Sequence, residues 1–235
     1  MPHADFPVLL DACVLAPYGV CDLFLRLAET PRLYLPRWSA RILEEAQRAQ
    51  QQALRPPWPR ERSARWRQAL ETHFPEAMVT GFEPLEALLT NHPGDRHVLA
   101  AAIRGRAEVI VTFNLRHFRP ADLAPWGLAA CHPADYLVTL HGMDPGGVVR
   151  RLTDIARCRQ TTPEDVLGRL ARNLPAFAMH VAEAVGWELP APPPPAQAPR
   201  PKRVREDYIR ALREGTPGIY PKLVRTIFAP PRAAE

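Results

Sequence analysis

Two short apolar runs rich in aliphatic residues, 6–10 and 109–112, set the first limit on the fold. Each is too short for an ordinary helix and lacks the alternation of a half-exposed strand, so each predicts a strand covered on both faces. Such strands need helices above and below them, and the intervening sequence has helical periodicity. Residues 21–28 have helical spacing, 32–35 predict a brief extended piece, and Ser39 is placed to cap a helix running to about residue 53. Pro56, Pro57 and Pro59 end that helix, 61–74 predict another, 77–80 a short strand, and 84–89 a further helix before the polar turn 91–94. Asp95 then stands at a helix start whose face is Val98, Leu99, Ala102 and Ile103, and 128–130 predict one more strand. Strands alternating with helices predict an α/β sandwich around a mainly parallel sheet.

From Pro133 the pattern turns helical, with helices expected over 134–140, 145–158, 163–173 and 175–185; Thr162-Pro163-Glu164-Asp165 is a strong start signal for the third. Seven prolines between 190 and 201 read as a stiff, extended linker. The expected organisation is a main domain over 1–140, a helical extension over 141–189 packed on it, a Pro-rich linker over 190–203 and a basic amphipathic tail over 204–235. In that tail Val204, Tyr208, Ile209 and Leu212 share a helical face, but so few residues cannot build a core of their own.

The chain has 235 residues and a net charge of +5, but residues 1–189 carry 21 basic and 21 acidic side chains, so the excess belongs to the tail. A globally basic surface therefore gives no argument for nucleic acid. The four cysteines show no C-x-x-C spacing and read as the free thiols of a cytoplasmic protein. No apolar run approaches the roughly 20 residues that span a bilayer. The segments G-x-x-x-x-G-K-[ST], G-x-G-x-x-G and G-x-S-x-G are absent, which disfavours the usual P-loop, dinucleotide and serine-hydrolase chemistries.

Three acidic residues fall where an α/β sheet gathers its ligands: Asp11 after the first strand, Asp95 at a helix start, and Glu45, expected to face inward from a helix face shared with Ile42, Ala46 and Ala49. Clustered carboxylates need a neutralising cation, and hard oxygen donors suit Mg²⁺ or Mn²⁺. Taken singly each has an ordinary alternative: Asp11 a turn residue, Asp95 an N-cap, Glu45 the partner of a buried Arg. His92, Asp95 and His97 fit no strong zinc spacing, and His117 reads as a surface histidine. Between 46 and 70 there are six Arg and one acidic residue; Arg62, Arg65 and Arg67 are candidates for phosphate contacts, with Trp58 or Trp66 as a base-stacking face.

Leu10-Asp11-Ala12-Cys13-Val14-Leu15, Trp38-Ser39-x-x-Ile42-Leu43-x-Glu45, Asp95-Arg96-His97-Val98-Leu99-Ala100-Ala101-Ala102 and Ile110-Val111-Thr112-Phe113-Asn114-Leu115-Arg116-His117-Phe118 occur in that order. Together they resemble the PIN-domain family, and within it the bacterial VapC-like toxin ribonucleases, over about residues 6–140. The resemblance implies a three-layer α/β/α sandwich, Mg²⁺-dependent (or Mn²⁺-dependent) endoribonuclease activity on RNA, neutralisation by a cognate antitoxin, and a homodimer. By position it implies Asp11, Glu45 and Asp95 as metal ligands, Asn114 as the fourth catalytic position, Thr112 in support, and Arg116 beside the RNA. Two departures stand out: Asn114 where the family often has Asp, and His117 in place of the Asp of a T-x-N-x-x-D-F segment. These departures leave open a catalytically degenerate PIN-fold protein that binds RNA or protein as a regulator.

Overall fold

The computed structural model describes residues 6–190. The linker beyond its first residue, and the whole tail over 204–235, lie outside the described residues.

Five strands, β1 (Pro7–Leu10), β2 (Leu35–Ser39), β3 (Met78–Val79), β4 (Val109–Val111) and β5 (Ala129–Cys131), form one sheet in the order β3-β2-β1-β4-β5. Every pairing is parallel, with Leu10 opposite Val111 at the junction of β1 and β4. The aliphatic runs occupy the centre for the reason anticipated: Val8, Leu9, Leu10, Ile110 and Val111 are buried, so neither face of these strands meets water. From β1 the chain winds outward through β2 to β3, then returns to the other side of β1 to lay down β4 and β5. The order reverses between β1 and β4, and at such a switch point the loops after the two strands diverge and leave a crevice at their carboxyl ends.

Helices cover both faces. The helices that follow the strands are α1 (Ala12–Leu15), α2 (Tyr18–Leu27), α3 (Ala40–Gln52), α4 (Arg60–His73), α5 (Arg96–Arg104) and α6 (Pro120–Leu123). In α5 the run Val98–Ala102 is wholly buried, and its alanines let the helix lie close to the sheet. Close packing continues at Gly105, where a Cβ would stand 2.8 Å from Val79 Cγ2. Ser39 caps α3 as expected, accepting from Ile42 N at 3.3 Å. Two expectations shift: the extended piece foreseen at 32–35 is β2 at Leu35–Ser39, and the helix foreseen at 84–89 is a 3₁₀ segment, Glu83–Leu88. Pro36 and Arg37 obscure the apolar pattern of β2, although Trp38 within it is fully buried against Phe74.

The carboxyl-terminal helices α7 (Pro133–Met143), α8 (Pro145–Arg159), α9 (Pro163–Leu170) and α10 (Pro175–Val185) continue the same hydrophobic core through Leu137, Leu152, Leu167 and Phe177. The Thr162 capping box starts α9. Helices α8 and α9 pack on α2, whose residues 20–27 are all buried. One stripe of α2 is polar: Asp22, with a fully buried side chain, accepts from Arg26 Nε at 3.0 Å and pairs with Arg159 of α8. The Arg159 guanidinium also lies over the Tyr18 ring.

Glu29 ends this polar stripe. Burial pushes its carboxyl up to about 7, only partly offset by Arg26 and Arg151, and its Oε1 finds no hydrogen-bond partner among the described residues. Because the folded value lies above the ordinary 4.5, the folded state holds the proton more tightly, and stability is lost as pH rises from 4.5 through about 7. Glu29→Gln, neutral throughout, is therefore expected to raise the urea midpoint above that of the wild type at pH 8 and to leave it unchanged near pH 4.5. Equal midpoints at pH 8 would show that Glu29 ionises without cost.

Candidate functional site

Asp11, 3% exposed, stands at the carboxyl end of β1 beside β4, where the strand order reverses. Its backbone N–H donates to Val111 O at 3.1 Å, which fixes the residue at the last rung of the sheet. Its Oδ1 accepts from Ala12 N at 2.6 Å, and its Oδ2 accepts from the Thr112 hydroxyl at 2.6 Å and the Cys13 thiol at 3.2 Å. Thr112 in turn accepts from Asn114 N at 3.0 Å, and Cys13 Sγ accepts from Phe113 N at 3.3 Å. The turn after β4 thus grips the carboxylate at the end of β1 through two side chains. The structure brings Thr112 onto the Asp11 carboxylate, while Cys13 had no signal in the sequence beyond standing two residues after Asp11.

Burial raises the Asp11 carboxyl above the usual range and the negative charge of Asp95 raises it further, against the hydrogen bonds from Thr112, Cys13 and Ala12. Burial and the charge of Asp11 likewise push the Cys13 thiol up to about 12, so it acts here as a neutral donor. A second buried aspartate, Asp22, is held differently. Asp22 has two guanidiniums, whereas Asp11 has no cationic partner among the described residues. A buried carboxylate with donors placed around it but no counter-charge fits a divalent cation.

Asp95 occupies the N-cap position of α5, yet its side chain makes no capping bond. Its Oδ2 instead meets His92 Nδ1 at 3.0 Å and His117 Nδ1 at 2.9 Å. The reading of Asp95 as a mere cap is therefore set aside. His117, expected on the surface, is half-buried and engaged, and its Nε2 accepts from Arg116 Nε at 3.1 Å. Glu45 lies at the edge of the buried face of α3, its side chain 30% exposed, with Oε2 3.2 Å from His97 Nε2 and Arg41 Nε at 4.0 Å. Asn114 follows β4, where its side chain makes no helix-capping bond.

Asp95 lies close enough to Asp11 for its charge to act on it, while Glu45 meets His97 of the same helix α5 that Asp95 starts. Among the described residues, the group of three metal-binding side chains with donor atoms mutually within 4.8 Å is His92, Asp95 and His117. A Mg²⁺ ion binds through one or two carboxylates and keeps several waters, and the oxygen donors of Asp11, Glu45 and Asp95 are of the kind such a hard ion takes.

The arginines of the cluster make contacts within the chain. Arg62 stacks over Trp58 at 4.0 Å, and Arg67 binds Glu71 at 2.8 Å and Glu44 at 3.4 Å. Arg65 is half-buried on α4. Trp58 and Trp66 are 7% and 2% exposed, so neither offers the stacking face expected of it. Of the candidate RNA contacts, Arg116 is the one beside the crevice, exposed and next to His117. No helix among the described residues is long and apolar enough to cross a membrane. All four cysteines are free, as anticipated.

Compared with known proteins, the chain is 39% identical over 131 residues to a Mycobacterium tuberculosis protein named ribonuclease VapC50, an activity that its name gives as provisional. The match covers 53% of this chain and 76% of that relative. No family model and no solved structure matches the chain.

Proposed function

Since the chain belongs to the VapC-like PIN-domain family, we propose that it is a divalent-metal-dependent endoribonuclease, the toxin of a toxin–antitoxin pair, acting in the cytoplasm. The observation that carries this reading is Asp11: a buried carboxylate at the sheet's switch point, gripped by Thr112 and Cys13, raised by burial and by Asp95, with no cationic side chain to balance it among the described residues. In this reading Asp11, Glu45 and Asp95 hold Mg²⁺ or Mn²⁺, Asn114 borders the same crevice, and Arg116 contacts a phosphate of the RNA. A cation held there would lower the pKa of a water and offset negative charge on a phosphodiester under attack. Thr112 and Cys13 keep the Asp11 carboxylate from turning, which preserves the orientation the chemistry needs. The main domain over 1–140 would carry the site, with 141–189 completing its core. The antitoxin and a second copy of the chain are the protein partners that family membership brings.

The test is cleavage of a mixed RNA pool by the purified full chain. Cleavage with Mg²⁺ or Mn²⁺ is expected, with loss in EDTA and recovery when the ion is returned. RNA that is bound but left intact under every condition would overturn the nuclease reading in favour of a binding protein.

A further inference from the structure

We propose that His92, Asp95 and His117 form a metal site that shares Asp95 with the carboxylate set above and takes a borderline first-row ion such as Zn²⁺ or Co²⁺ in preference to Mg²⁺. This goes beyond the nuclease reading; because Asp95 belongs to both donor sets, an ion held by the histidines would compete with Mg²⁺ for it.

The three side chains come from two segments, the turn before α5 and the turn after β4, and the fold aims both Nδ1 atoms at the same oxygen, Asp95 Oδ2, at 3.0 and 2.9 Å. The rings lie face to face, with centroids 4.1 Å apart and planes within 12°. Metal–ligand bonds of about 2.1 Å place neighbouring donors roughly 3.0–3.4 Å apart for octahedral to tetrahedral coordination. The two oxygen–nitrogen edges therefore need to open by only a few tenths of an ångström to admit an ion. Two neutral imidazoles with one carboxylate suit zinc, cobalt or nickel, while magnesium prefers an all-oxygen shell. Access is open, since the His92 side chain is 52% exposed while those of Asp95 and His117 are 17% and 20% exposed. Three protein donors leave coordination positions for water or an anionic oxygen.

Hydrogen bonds now hold the cluster, and they define what binding must displace. Arg116 Nε donates to His117 Nε2, so the ring proton of a neutral His117 sits on Nδ1, facing Asp95. When Nδ1 ligates, that proton moves to Nε2 and Arg116, which is exposed, leaves. Gly94 N, 3.3 Å from His92 Nδ1, gives up that acceptor as well. No net proton is gained or lost at His117. Arg116 is thus a competitor of the ion.

The experiment uses the full chain, Co²⁺ absorption spectra and Zn²⁺ titration calorimetry, with circular dichroism to verify folding. Wild type is expected to give visible Co²⁺ bands that Zn²⁺ abolishes and millimolar Mg²⁺ does not. His92→Ala and His117→Ala should each weaken Zn²⁺ at least about tenfold, Arg116→Ala should tighten it, and Asp11→Asn should leave it within about twofold. Loss of Zn²⁺ binding in Asp11→Asn with retention in both histidine variants would place the ion among the carboxylates and overturn the proposal, as would a wild type that binds neither ion. RNA cleavage decides the nuclease reading separately, so either idea can fail alone.

Discussion

Asp11→Asn is expected to remove RNA cleavage, by at least about 10²-fold in rate, while making the chain harder to unfold in EDTA. The two effects have one origin. Asp11 is buried with its carboxyl raised by desolvation and by Asp95, so in the absence of a cation its charge is a liability to the folded state. Asparagine keeps the shape and an oxygen for Ala12 N, and its amide can donate to the Thr112 hydroxyl, but it brings no charge to bury. Adding Mg²⁺ should raise the melting temperature of the wild type by mass action and raise that of the variant much less. Melting scans with and without Mg²⁺, run beside the cleavage assay, check both halves. An active Asp11→Asn, or one that melts lower than wild type in EDTA while remaining inactive, would contradict the account of Asp11 as a carboxylate held in wait for a cation.

Asp22→Ala is expected to act in the opposite sense, with no role in chemistry and a large loss of stability. The Asp22 side chain is fully buried and receives both Arg26, itself buried, and Arg159, whose side chain is 13% exposed. Removing one member of a buried ion network leaves the others without compensation, at a cost of about 3–5 kcal/mol. In urea the midpoint should fall with little change of slope, because the surface exposed on unfolding is nearly the same. A loss below about 1 kcal/mol would mean that water or the Tyr18 ring satisfies the guanidiniums once the carboxylate is gone.

The contrast between these two aspartates shows what the sequence makes legible. Asp11 is readable because it ends an unbroken apolar strand, and the position itself, at the carboxyl end of a buried β-run, is where parallel sheets bind ligands. Asp22 is hidden inside a stretch that reads simply as helix, because its partner Arg159 lies 137 residues away in sequence. The His117–Asp95 contact is hidden for the same reason, spanning 22 residues and two turns, whereas His97, close to Asp95 in sequence, points instead to Glu45. Local pattern also misplaced β2, where a proline and an arginine interrupt a strand that long-range pairing with Pro7–Leu10 nevertheless completes. Helix caps at Ser39 and Thr162 are local, and were legible as such.

The stripe on α2 has an evolutionary consequence. Tyr18, Asp22 and Arg26 recur at intervals of four and turn toward α8, and Gly19 lies against Leu170 of α9. A descendant that lost α8 and α9 would expose an apolar helix bearing a stranded ion pair immediately after the turn that carries Asp11. Deletion of the extension would therefore have to be accompanied by a rewritten outer face of α2, and the residues at 18, 19, 22 and 26 serve as a marker of whether a related chain carries these helices.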